Sequence, residues 1–178
     1  FVGFRYYDTA SKAVKYPFGF GLSYTSFEYT GLELAPDGVS FTIKNTGSVP
    51  GAEIAQVYVA APKGGVFCPE KELRGFARVE LSPGETKRVF VRLPERAYQY
   101  WNIAENRWAT AGGRYEILVG ASSRDIRLRG AVEKPGDGAP DPYTDPVFAP
   151  YRRADVLLVP DASFAALLGR EIPPHMWD

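Results

Sequence analysis

Cysteine, histidine and methionine each occur once in this 178-residue chain. Cys68 has no internal partner, so the fold must be stable without a disulfide, and the compartment is left open. With His175 alone near the end and Cys68 alone in a loop, neither Ser-His-Asp nor Cys-His chemistry has a stage. The same scarcity gives no cluster of metal ligands, and no cofactor is expected. An excess of charge is also missing: 21 acidic side chains cancel 21 basic ones, which removes the electrostatic footprint of a nucleic-acid or anionic-membrane partner. No apolar run approaches the length of a transmembrane helix, and no signal-peptide pattern opens the chain. Because it opens on Phe1 and its one methionine is Met176, the chain reads as a fragment or a processed product.

What is present is 45% hydrophobic residues, enough for one core with appendages. The densest stretch runs from Tyr16 to Phe27, where five of twelve residues are aromatic and Gly19 and Gly21 alternate with Phe18, Phe20 and Leu22. It has neither helical period nor loop polarity, and reads as a rigid, buried connector between two bodies, with Phe18, Phe20 and Tyr24 as interdomain contacts. Before it, the β-branched and aromatic run from Phe1 to Asp8 reads as the last strand of a preceding domain.

From residue 26 the pattern becomes that of short strands. Val39, Phe41 and Ile43 alternate with Ser40, Thr42 and Lys44, a strand with one face buried. Residues 52–60 are apolar on both faces, as in a central strand, with Gln56 buried and its amide satisfied by neighbours. Further strands are expected over residues 86–93, over 97–104 and 107–110 as a hairpin, over 115–119, and from Ile126 onward, where arginines guard the edge. Seven or eight strands with turn signals every 8–12 residues or so predict an all-β sandwich of the immunoglobulin type over residues 26–133. Residues 1–25 are then the connector and the end of another domain, and 134–178 a tail. The tail opens with a Pro-rich extended linker. Its second half carries a short helix after Asp161 that stops at Gly169 and docks through Phe164, Leu167 and Leu168, either on the sandwich or on the missing preceding domain.

The segments GFRYYD (3–8), YPFGFGLSYTSFEY (16–29), IKNTGSVPGAEIAQVYV (43–59), KELRGFARVELSPGET (71–86) and GRYEILVGASSRDIRL (113–128) resemble, in this order and spacing, glycoside hydrolase family 3. The likeness is to the end of that family's α/β sandwich domain followed by its fibronectin type III-like domain, over about residues 1–133, and FAALLGREIPP (164–174) resembles extensions found after it in some members. It implies a parent β-glucosidase that retains configuration through two carboxylates. Neither carboxylate matches a residue of this chain, so no catalytic position is carried over, and the implied partners are the catalytic domains of the parent.

Read from the residues alone, the carboxylates sit mostly in turns and on outer faces. Asp8, directly after an aromatic run, is read as a cap or turn residue rather than a catalyst. Trp101, Trp108, Tyr98 and Tyr100 are candidate contacts for β-glucosides or oligosaccharides, against the plainer expectation of hairpin packing. Arg124, Arg127 and Arg129 are read as a solvated edge, with an acidic partner or subunit contact as the alternative.

Overall fold

The computed structural model describes residues 1–174, so His175 lies outside the described residues. The chain begins with a helix, α1 (Phe4–Thr9), and not with the expected strand. Both geometries place Phe4 and Asp8 on one side, but they separate the two by different distances: about 6 Å in a helix against about 13 Å in a strand. The closer spacing lets both reach the outer side of the same sheet, Phe4 at Tyr58 and Asp8 at Lys71. The Phe4 ring stacks on Phe18 at 4.5 Å and meets the edge of Tyr58 at 5.9 Å. Tertiary contact thus overrides the strand propensity of the run.

Nine strands follow among the described residues. They are β1 (Phe27–Ala35), β2 (Gly38–Asn45), β3 (Gly51–Ala60), β4 (Glu72–Leu81), β5 (Thr86–Arg92), β6 (Gln99–Asn102), β7 (Arg107–Thr110), β8 (Gly113–Gly120) and β9 (Ile126–Lys134). They build a three-stranded sheet in the order β1-β2-β5, a four-stranded sheet in the order β4-β3-β8-β9, and the separate β6-β7 hairpin, every pairing antiparallel. The alternation read from the sequence holds. Val39, Phe41 and Ile43 of β2 face Ala55, Val57 and Val59 of β3 and Tyr115, Ile117 and Val119 of β8 in one buried core. The hairpin starts later than expected, because Glu95–Tyr98 forms a 3-10 turn after Pro94.

One polar residue joins the two sheets at an end of this core. Asn45 is fully buried; its amide nitrogen donates to the carbonyls of Val49 and Leu81 at 2.8 and 3.1 Å. Its side-chain oxygen accepts from the Thr25 hydroxyl at 2.6 Å and from the backbone N–H of Gly47 at 3.0 Å. The amide's hydrogen-bonding capacity is therefore used, and it ties the start of β1 to the β2–β3 turn and the end of β4.

Residues 4–20 lie across the outer face of the four-stranded sheet and are held there by Asp8. Its carboxylate, 5% exposed, sits 3.0 Å from Lys71 Nζ and 2.8 Å from Arg124 Nε. Lys71 stands at the entry to β4 and Arg124 in the β8–β9 turn, so one side chain of α1 binds both ends of the sheet's outer face. Arg124 also donates to the Lys12 carbonyl at 2.8 Å, and Thr9 Oγ1 accepts from the Glu70 N–H at 2.7 Å. Burial pushes the Asp8 carboxyl up, but Arg124 and Lys71 outweigh it and hold it below its ordinary value of 3.8.

The tail corrects two expectations. Its proline-rich first half is not a free linker: Asp137 accepts from the Thr110 N–H at 3.0 Å and from Arg107 at 2.8 Å, while the Pro140 carbonyl accepts from Asn102 at 2.8 Å. Prolines give the segment its extended shape, and these bonds lay it along the hairpin. The helix forms as α2 (Asp161–Leu168) and stops at Gly169, whose φ of 71° is left-handed, but Pro160 rather than Asp161 occupies its N-cap. It packs on the 3-10 helix Pro146–Arg153 with Ser163 as its buried residue, so Phe164, Leu167 and Leu168 stay half-exposed.

Two outcomes follow. Asn45→Ala strands several buried partners and should lower the unfolding free energy by about 2–3 kcal/mol in urea titration. For Asp8 the folded carboxyl is more acidic than the unfolded one, so its contribution is complete above the ordinary carboxylate range and is lost as pH falls through the lowered value. Asp8→Asn should cost about 3 kcal/mol at neutral pH and shrink that acid-side loss, read from stability against pH.

Candidate functional site

Period two puts Ala55, Val57 and Val59 of β3 into the core and Gln56 and Tyr58 on the opposite face, yet both are buried because the N-terminal segment covers them. Gln56 Nε2 donates to the carbonyls of Gly19 and Ala121 at 3.1 and 2.8 Å, and its oxygen accepts from the Tyr58 hydroxyl at 2.5 Å. The expected satisfaction of the Gln56 amide therefore holds. Gly19, at φ +78°, suits both the left-handed backbone and the close approach: a Cβ there would lie 2.0 Å from Gln56 Oε1 and displace the Gln56 amide.

Only the inner side of the connector is covered. Phe18 and Phe20 are about half-exposed, Leu22 and Tyr24 fully so, and Tyr16 stacks on Phe20 at 5.3 Å among the outward rings. Gly19 lies against the sheet, while Phe20, Leu22 and Tyr24 stay open on the other side of the connector. Phe76 extends this apolar surface. It pairs in register with Gln56, shares the outer face of the sheet with Ile54, and is 66% exposed. The parity of β4 separates its apolar residues: Val79 and Leu81 face the core, Phe76 with Arg78 and Glu80 the outside. An exposed apolar face of this extent marks a contact surface.

The aromatic hairpin divides the four candidate sugar contacts. Trp101 and Trp108 are cross-strand partners, edge-to-face at 5.5 Å and partly exposed, with the Arg96 guanidinium 3.9 Å from the Trp108 ring centre. Tyr98 is buried, packed edge-to-face on Tyr115 at 5.4 Å with Lys134 Nζ 4.3 Å from its ring, and is removed from any ligand-facing role. Tyr100 is half-buried. Asn102, which sequence reading passed over, is fully buried; its oxygen accepts from the N–H groups of Ala104 and Glu105, closing the turn.

Carboxylates do occur in clefts. Glu53 and Asp125 line a cleft of about 430 Å³ between the connector and β1, with Tyr29 and Arg127. Burial pushes the Glu53 carboxyl up, while Arg127 holds Asp125 down. Both Asp125 oxygens are taken by the Arg127 guanidinium at 2.6 and 2.7 Å, which blocks it as a nucleophile. Of the arginine row, Arg124 and Arg127 thus hold structural carboxylates, and Arg129 is exposed on β9. No group of three or more His, Cys, Asp and Glu suited to a metal occurs among the described residues.

Residues 53–123 match the family described as Fn3-like, fibronectin type III-like domain. Over 150 residues the chain is 48% identical to an exo-alpha-(1->6)-L-arabinopyranosidase of Bifidobacterium longum, which covers 82% of the chain and 20% of that protein. It is 45% identical over 140 residues to the thermostable beta-glucosidase B of Acetivibrio thermocellus, covering 74% of the chain and 18% of the relative. The crystal structure of a GH3 beta-glucosidase from Bifidobacterium adolescentis aligns with a TM-score of 0.74 at 46% identity, over 78% of this chain and 21% of that one. The chain therefore spans about one fifth of the length of the curated relatives it matches, and the part it matches is their C-terminal portion. On this identity, and on the sandwich that carries it, the chain belongs to glycoside hydrolase family 3 as the C-terminal, fibronectin type III-like portion of such a protein.

Proposed function

We propose that the chain is a non-catalytic brace within a longer retaining β-glycoside hydrolase of the β-glucosidase type, and that its outward aromatic face docks on the catalytic domains. The observation that carries this reading is the asymmetry of the connector. Asp8, Gly19 and Gln56 fasten its inner side to the sheet and Phe18 stacks on Phe4, yet Phe18 and Phe20 stay half-exposed and Tyr24 fully exposed, as is Phe76 on the outer face of the sheet. A segment held this firmly cannot fold its aromatics away, so a neighbouring domain is what removes them from water. In this reading residues 1–25 close the preceding domain, 26–133 form the sandwich and 134–178 the tail. Substrate choice then belongs to the domains that hold the two carboxylates.

The brace predicts a split between stability and chemistry. In the longer protein, Phe20→Ser with Tyr24→Ser should shorten the half-life of activity at elevated temperature severalfold, with kcat/KM for an aryl β-glucoside at ambient temperature nearly unchanged. The same pair in the isolated 178-residue chain should leave its melting temperature within a degree or two, because both side chains are already exposed there. Unaltered half-lives in the longer protein, or hydrolysis by the purified isolated chain, would overturn the reading.

Exposure of Trp101 and Trp108 side by side on the hairpin supports a second reading, an oligosaccharide contact. As Arg96 already occupies the Trp108 ring, calorimetric titration of the chain with cello-oligosaccharides should stay flat to millimolar sugar. A saturable heat abolished by Trp101→Ala would establish sugar binding instead.

A further inference from the structure

We infer that the C-terminal tail carries a second docking surface for the preceding part of the longer chain, separate from the connector face; this rests on the bracing role proposed above. The surface is built around the 3-10 turn Val156–Leu158, in which Leu157 is 86% exposed and its two neighbours are more than half-exposed. The turn is not loose. Asp155 accepts from the Leu157 N–H at 3.3 Å and pairs with Lys12 at 3.1 Å, so an N-terminal residue fixes the tail in position. α2, terminated by Gly169, adds Phe164 and Leu168 to the exposed apolar residues of the tail.

The occupant is indicated by the groove that Val156 and Leu167 line. It encloses about 270 Å³, and its opposite wall is Phe1, Tyr6 and Phe67, with Phe1 packed on Phe67 at 5.1 Å. The relatives are about five times as long as the part matched, and in them that part is C-terminal, so most of their length precedes it. Residues leading into Phe1 therefore start at the wall of an aromatic groove whose other wall is the tail. An apolar segment of the preceding domain is the occupant that chain continuity delivers at high effective concentration. A second copy of the chain would have to reach the same groove past that connection.

Hydrogen exchange of residues 154–168 should be compared between the longer protein and the isolated 178-residue chain. Docking predicts exchange at least tenfold slower in the longer protein. It also predicts that Leu157→Asp with Leu158→Asp shortens the thermal half-life of the longer protein severalfold without altering the melting temperature of the isolated chain. Equal exchange in both proteins overturns the inference. If the tail variants have no effect while Phe20→Ser with Tyr24→Ser does, the tail surface falls and the brace stands. If neither pair has an effect, both fall. A concentration-dependent dimer of the isolated chain that Leu157→Asp dissociates would name a second copy as occupant and likewise overturn it.

Discussion

A carboxylate buried between two cations is the constraint on which the N-terminal third of this architecture depends. Asp8 could not be ionised in that position without Lys71 and Arg124, and neither cation would find a buried partner there without it. The three come from α1, the entry to β4 and the β8–β9 turn, so their meeting holds the helix flat on the sheet and brings Gly19 down onto Gln56. The outer face of β3 at Gln56 and Tyr58 is dry for this reason. Gln56 and Tyr58 are polar groups that burial would penalise, and the segment above them supplies the carbonyl that completes their network.

Fastening one side of a connector has consequences for the other side. Gly19 has no side chain and is spent on close approach to Gln56, while Phe20 and Tyr24 are left exposed on the other side. Hydrophobic burial favours covering them, and the sandwich itself has no surface left to do so. The sandwich is therefore complete as a core and incomplete as a surface, which is the physical character of an accessory domain. Two of its own carboxylates agree with this: Asp8 and Asp125 are both engaged by arginine.

The tail repeats this arrangement by different means. Asp137, the Pro140 carbonyl and Asp155 attach it at the hairpin and at Lys12, and the residues between attachments keep apolar side chains exposed. In the first half the binding is through backbone and short carboxylate contacts, which suits a proline-rich stretch that cannot form a ladder.

Much of this was legible in the residues. Period-two alternation in β2, β5 and β8 reports which side chains are buried, because a strand with one dry face has no other way to be built. The central place of β3, the hairpin around Glu105 and Asn106, and the helix stop at Gly169 were equally readable from local rules. What the amino-acid sequence by itself determined is the all-β sandwich, its strands and its membership of glycoside hydrolase family 3. Tertiary structure alone decided that the first residues form a helix, that Tyr98 is buried while Trp101 is not, that the proline-rich segment lies along the hairpin, and which way the connector's aromatics face. The physical reason is that these outcomes depend on partners distant in the chain. Asp8 finds Arg124 and Gly19 finds Gln56 across separations that carry no local signal, since periodicity reports the environment of a side chain along its own element and not the identity of what comes to cover it.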